Sequence, residues 1–143
     1  MDEARTPPPV GGLLETALYV ADLEISVAFY RDVIGLRVML HNPRMAAFDA
    51  GQGGVLLLFR QGATSEDVTD RNGTVPGHEG TGRLHMAFAI AAADLDAWRA
   101  HLAARGLALA GEVHWARGGV SLYVRDPDGH AIEFATPGLW PNR

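Results

Sequence analysis

Residues 84–106 read LHMAFAIAAADLDAWRAHLAARG, and residues 14–35 read LETALYVADLEISVAFYRDVIG. Each opens in alternation. Leu84, Met86, Phe88 and Ile90 take turns with His85, Ala87 and Ala89; Leu14, Thr16, Leu18 and Val20 take turns with Glu15, Ala17 and Tyr19. A period of two marks a strand with one face on a core. Each stretch then passes through an aspartate suited to cap a helix, Asp94 or Asp22. Apolar residues at helical spacing follow, Leu95, Trp98 and Leu102 or Leu23, Val27, Tyr30 and Ile34, and a glycine stops each run, Gly106 or Gly35. Glu15 and His85 lie 70 positions apart, Asp22 and Asp94 72, Gly35 and Gly106 71. So steady an offset reads as a duplication.

After each helix, shorter apolar segments predict three more strands, at 37–40, 45–49 and 55–59 in the first half and at 107–113, 121–125 and 131–135 in the second. Asp126-Pro127-Asp128-Gly129 carries type I turn chemistry and is expected to close a hairpin. The expected fold is therefore α+β, built from two βαβββ modules, residues 13–60 and 83–137, in one domain. A flexible Pro-rich arm is expected at 1–12 and a tail at 138–143. Residues 61–82, rich in Gly, Thr, Asp and Glu, exceed an ordinary connection and are expected to form a functional linker loop.

Composition removes whole classes of chemistry. The 143 residues include no Cys, and all 12 basic side chains are Arg. Thiolate nucleophiles, cysteine metal sites, disulfides, Schiff bases and phosphate-binding lysines are excluded. A net charge of −5 gives no footprint for nucleic acid or an anionic membrane. No apolar run approaches the roughly 18 residues of a membrane span, and the N-terminus lacks the form of a signal peptide, so a cytoplasmic location is expected.

Strand parity puts Glu15 on the face of Ala17 and Tyr19, His85 with Ala87 and Ala89, and Glu133 with Ala131 and Ala135. Three times a titratable side chain stands on the less bulky side of its strand. Small neighbours leave room for a ligand on a sheet face free to curl into a cleft. Glu15, His85 and Glu133 together suit Mn²⁺, Fe²⁺, Ni²⁺ or Zn²⁺, with coordination positions open for water or substrate. Taken singly, a strand His is more often a hydrogen-bonded core residue, and a strand Glu more often an edge residue facing water. Ser121 and Tyr123 alternate with Leu122 and Val124, so their hydroxyls are candidates for substrate binding, and Tyr123 also for proton relay. His78 and Glu79, in Pro-Gly-His-Glu-Gly, are read as lining the mouth of the cleft or as a solvated loop, and Trp115 and Arg117 as a rim or as surface. His130 falls on the Ile132 and Phe134 side and is read as structural.

Residues 18–36, 84–106 and 121–137 (SLYVRDPDGHAIEFATP) together resemble the vicinal oxygen chelate superfamily. That group includes glyoxalase I, extradiol ring-cleaving dioxygenases, fosfomycin-resistance enzymes, methylmalonyl-CoA epimerase and metal-free bleomycin-binding proteins. The resemblance implies paired βαβββ modules forming an open barrel-like cleft around a divalent metal that stabilises an enolate or oxyanion of a small substrate with adjacent oxygens. His85 and Glu133 match two of the family's metal ligands; Glu15 stands where His is most usual. Glu/His/Glu is harder and more anionic than the two-His, one-carboxylate set of ring-cleaving dioxygenases. Glyoxalase I takes a fourth ligand from the last strand of its first module, where this chain has VLLLF at 55–59. Fosfomycin enzymes carry basic residues before Ser-x-Tyr; here Val120 precedes Ser121, and Arg117 is the nearest substitute for binding substrate.

The resemblance implies an isomerase, a lyase or an epoxide-adding enzyme, with Glu15 or Glu133 leaving the metal to act as general base; dioxygenase chemistry fits less well. The alternative is metal-free sequestration of a drug, as in the bleomycin-binding relatives. Relatives of this size are commonly homodimers, so Glu15 of one copy is expected to meet His85 and Glu133 of its own chain or of a second copy.

Overall fold

The computed structural model describes residues 5–143. Residues 5–14 hold no helix or strand and are exposed, and the rest of the expected arm lies outside the described residues. Two four-stranded sheets follow. The first combines β1 (Glu15–Val20), β2 (Arg37–His41), β3 (Met45–Asp49) and β4 (Val55–Arg60) in the order β1-β4-β3-β2, with β1 parallel to β4. Two further strands, β5 (Val68–Asp70) and β6 (Gly73–Val75), pair with each other as a hairpin inside residues 61–82, so the expected loop carries structure of its own. The second sheet uses β7 (His85–Ala89), β8 (Gly111–His114), β9 (Val120–Arg125) and β10 (Ala131–Ala135) in the order β7-β10-β9-β8, with β7 parallel to β10. The matching orders are the duplication made visible.

Helix α1 (Leu23–Ala28) is capped as expected, the Asp22 carboxylate accepting from the Ile25 amide at 3.2 Å. It continues as a π-helical turn over Phe29–Val33, which keeps Tyr30 and Ile34 as well as Leu23 and Val27 buried. Helix α2 (Leu95–Ala104) departs from expectation at its start: a 3₁₀ turn, Ala92–Asp94, leads into it and Asp94 makes no capping bond. Both helices cover the convex faces of the sheets. Leu18, Phe48, Leu56 and Leu58 of the first sheet and Leu122, Val124, Ile132 and Phe134 of the second join Val27, Tyr30 and Leu102 in one continuous core. Trp98 stacks on Phe134 with ring centroids 4.5 Å apart. No helix among the described residues is long and apolar enough to cross a membrane.

A polar clasp joins the modules in addition to this shared core. The Asp126-Pro127-Asp128-Gly129 turn, closed by Gly129 N–H donating to Asp126 C=O at 2.9 Å, reaches across to the first module. Tyr30 donates its hydroxyl to Asp126 Oδ2 at 2.7 Å, while Asp126 Oδ1 accepts the Asp128 and His130 amides at 3.0 and 2.9 Å. Asp128 accepts the Ala21 amide at 2.8 Å and the Ser26 hydroxyl at 3.3 Å. His130 accepts the Leu84 amide on Nδ1 at 2.8 Å, which leaves Nε2–H to donate to the Tyr19 carbonyl at 2.8 Å. One fully buried imidazole thus ties the end of β1 to the start of β7, the structural role its parity implied.

Asp126, Asp128 and His130 bring potential ligand atoms within 4.8 Å of one another. Every carboxylate oxygen and ring nitrogen among them already holds a hydrogen bond, so this group is a clasp between modules. Burial, and then the Asp126 carboxylate, hold the Tyr30 phenol far above its ordinary range, so it stays a donor. Tyr30→Phe strands a buried carboxylate oxygen. The expected cost is about 1–3 kcal/mol, or a fall of roughly 3–10 °C in melting temperature for a chain of this size. Thermal unfolding followed by circular dichroism measures this, and an unchanged midpoint would remove the clasp from the account of stability.

Candidate metal centre

The concave face of the second sheet carries the expected polar residues in adjacent rows. Strand register sets Glu133 beside Tyr123 on β9 and Ala87 on β7, and sets Ala131 beside His85. Ile132 and Phe134 fill the core behind, so Glu133 is forced to the opposite face by the pleat. Its side chain is 5 % exposed, and that of His85 is 56 % exposed. A carboxylate so buried needs partners. Ser121 donates to Glu133 Oε2 at 2.5 Å, and Trp115 Nε1–H donates to Ser121 Oγ at 2.8 Å. Tyr123 lies alongside, its ring centroid 6.2 Å from that of His85. Desolvation, reinforced by the Glu133 carboxylate, raises the Tyr123 phenol above its ordinary value, which keeps it protonated.

His85 Nδ1 stands 2.9 Å from the Ala131 carbonyl, which can only accept, so that nitrogen carries the hydrogen. In the neutral imidazole Nε2 then presents a lone pair, 3.3 Å from Glu133 Oε1. The space between the two atoms is filled either by a proton on Nε2, as an ordinary ion pair, or by a metal ion that both atoms ligate. An imidazole nitrogen and a carboxylate oxygen are both donors that a divalent ion such as Zn²⁺ would accept. The backbone carbonyl behind the imidazole is the orienting partner that metal-bound histidines usually have. His85 and Glu133 therefore fit a divalent metal as two of its ligands.

Glu15 is in a different place. It begins β1 on the concave face of the first sheet, in one row with Val55, Asp49 and Arg37. It is exposed, and its carboxylate makes no hydrogen bond or ion pair among the described residues. Its carboxylate does not come within 4.8 Å of ligand atoms of both His85 and Glu133; among the described residues, three such atoms converge so closely only in the clasp. A single chain thus does not unite Glu15 with His85 and Glu133. Next to Glu15 a cleft of about 440 Å³ opens between β1 and β7, lined also by Thr16, Met86, Phe88 and Arg143. The edges of the two sheets are joined at the His130 end and open at this one. On β4 the counterpart of Glu133 is Leu57, which sits beside Ala17 and offers no ligand.

The remaining expected residues separate. His78 belongs to the first module's concave face: its Nδ1 lies 2.7 Å from the Tyr19 hydroxyl and its ring 4.7 Å from that of Phe59. Gly80 is there because a side chain would strike the Tyr19 ring, at 2.6 Å from a Cβ. Arg117 is exposed in the turn between β8 and β9 and makes no side-chain hydrogen bond or ion pair among the described residues. Sequence reasoning left Trp115 between rim and surface and did not connect Tyr30 with Asp126. A buried tyrosine needs a partner for its hydroxyl, and that was the available signal.

Known proteins resemble this chain in sequence and in fold. A metallothiol transferase FosB from Lysinibacillus sphaericus is 30 % identical over 84 % of this chain and 78 % of its own length. A lactoylglutathione lyase from Haemophilus influenzae is 33 % identical over 85 % of this chain and 90 % of its own. A solved structure of a lactoylglutathione lyase from Agrobacterium tumefaciens superposes with a TM-score of 0.84 at 34 % identity, covering 94 % of this chain and 99 % of that one. Residues 12–134 match the family model of the Glyoxalase/Bleomycin resistance protein/Dioxygenase superfamily, and the chain belongs to that superfamily, the vicinal oxygen chelate group.

Proposed function

We propose that the protein is a divalent-metal-dependent enzyme acting on a small molecule with adjacent oxygens. Its site combines His85 and Glu133 of one copy with Glu15 of a second. The observation that carries this is the lone pair of His85 Nε2 held 3.3 Å from Glu133 Oε1 by a backbone carbonyl. When bound there, the ion supplies Lewis acidity toward the paired substrate oxygens, in isomerase, lyase or epoxide-opening chemistry. The printed names of the relatives, a lyase and a metallothiol transferase, support the same range. Leu57, apolar where a fourth ligand would stand, favours a three-ligand site with positions left for substrate.

The two carboxylates take different roles. Glu133 is buried and bound by Ser121, so it stays in place. Glu15 has no partner among the described residues and is the carboxylate free to swing away and accept a proton as general base. Tyr123, kept protonated, donates a hydrogen bond to a substrate oxygen over the Glu133 side of the site. Ser121, spent on Glu133, orients that ligand and does not reach substrate. His78 and Arg117 form outer contacts to the far ends of the substrate.

His85→Ala is expected to abolish stoichiometric Mn²⁺, Ni²⁺ or Zn²⁺ binding, measured by elemental analysis after dialysis. Its melting temperature should stay within a few degrees, since the imidazole is more than half exposed. A folded variant that retains full metal content would refute the site. Mixing Glu15→Ala with His85→Ala tests sharing: random exchange makes half the dimers mixed, each with one intact site of two. Tight binding should then return to about a quarter of sites. No recovery after verified exchange, or a monomer by light scattering, would exclude the shared arrangement.

A further inference from the structure

Trp115 is the residue nearest this site to which the proposed function gives no task. It stands at the start of the turn between β8 and β9, where its amide donates to the Gly119 carbonyl at 2.8 Å and its carbonyl accepts from Gly118 at 2.9 Å. The turn is itself wedged: a Cβ on Gly119 would lie 2.9 Å from the carbonyl carbon of Gly138, so the C-terminal segment backs it closely. The indole is half-buried and spends its one hydrogen on Ser121 Oγ at 2.8 Å. An indole N–H can only donate and a carboxylate can only accept, so the order of donation has one solution. Trp115 gives to Ser121, and Ser121 gives to Glu133.

That direction has a consequence for Glu133. A serine hydroxyl rotates freely unless its lone pair is engaged, and here the indole engages it and points the hydroxyl hydrogen at Oε2. With Oε2 committed, Oε1 is the oxygen left to face His85 Nε2 at 3.3 Å. We infer that Trp115 is a positioning residue for Glu133, fixing through Ser121 which carboxylate oxygen is offered beside His85. The inference rests on the metal reading above for its functional meaning, and on the hydrogen-bond chain alone for its existence. Removing a direct partner of a metal ligand, the place Ser121 holds, typically costs about 10–100-fold in metal affinity, and Trp115, one bond further out, is expected at the low end of that range.

The test uses the full-length protein and Zn²⁺ as the probe. In the metal-free, ¹⁵N-labelled protein three indole signals arise, from Trp98, Trp115 and Trp140, and Trp115→Phe assigns the Trp115 signal by its loss. Ser121→Ala and Glu133→Gln should each move the Trp115 signal and leave the other two in place; a Trp115 signal unmoved by Ser121→Ala would overturn the inference. Titration calorimetry should then show Zn²⁺ held about 10-fold more weakly by Trp115→Phe than by wild type. Equal affinity, with the phenylalanine variant folded, would also overturn it. If wild type takes up no Zn²⁺, the metal reading falls while the indole signals still decide whether Trp115 positions Glu133.

Discussion

The buried carboxylate of Asp126 is the point from which the rest of this structure hangs. Two sheets that do not hydrogen-bond to each other must be held at a fixed angle, and the apolar core behind them cannot do this alone, because apolar contact is not directional. Asp126 supplies direction. It takes the Tyr30 hydroxyl from the first module on one oxygen and two amides of its own turn on the other. His130, emerging from that turn, then bridges the neighbouring edges of β1 and β7. Hydrogen bonds to a charged acceptor in a dry interior are strong and geometrically strict. The clasp therefore sets the module angle that leaves both concave faces open on the side away from the helices.

The same hairpin serves the metal centre. His130 immediately precedes β10, and Glu133 on the opposite face follows three positions later, about 10 Å of extended chain. The residue that fixes the packing and the residue that offers a ligand ride on one rigid element. Behind His85, the carbonyl of Ala131 comes from that strand too. Most of the candidate centre within one copy is thus built from β10 and the residues it touches.

Much of this was legible in the residues. Alternation in 84–90 and 131–135 placed His85 and Glu133 on the correct face, and the constant offset between halves revealed two like modules. Parity works because the pleat is local. The limits were physical as well. Asp94 looked like a cap, yet the chain turns through a 3₁₀ segment before α2, a choice made by packing. The pair Val68–Asp70 and Gly73–Val75 is too short and polar to announce itself. Asp126 and Asp128 read as turn formers, which they are, but their partners lie 96 and 107 residues away in sequence. The proposed convergence of Glu15 with His85 would depend on how two surfaces meet, and no local pattern encodes that.

Leu57 completes the picture from the other module. It occupies the place on β4 that Glu133 occupies on β10, with Ala17 and Ala47 as its neighbours across the sheet. None of these side chains caps, bridges or clasps anything. Around Leu57 the first module's face thus carries only apolar or small side chains, while the second module's face is bound into the fold through β10. Exchange of Ala17 or Leu57, both only half-buried, would reshape that face without touching the pair His85 and Glu133.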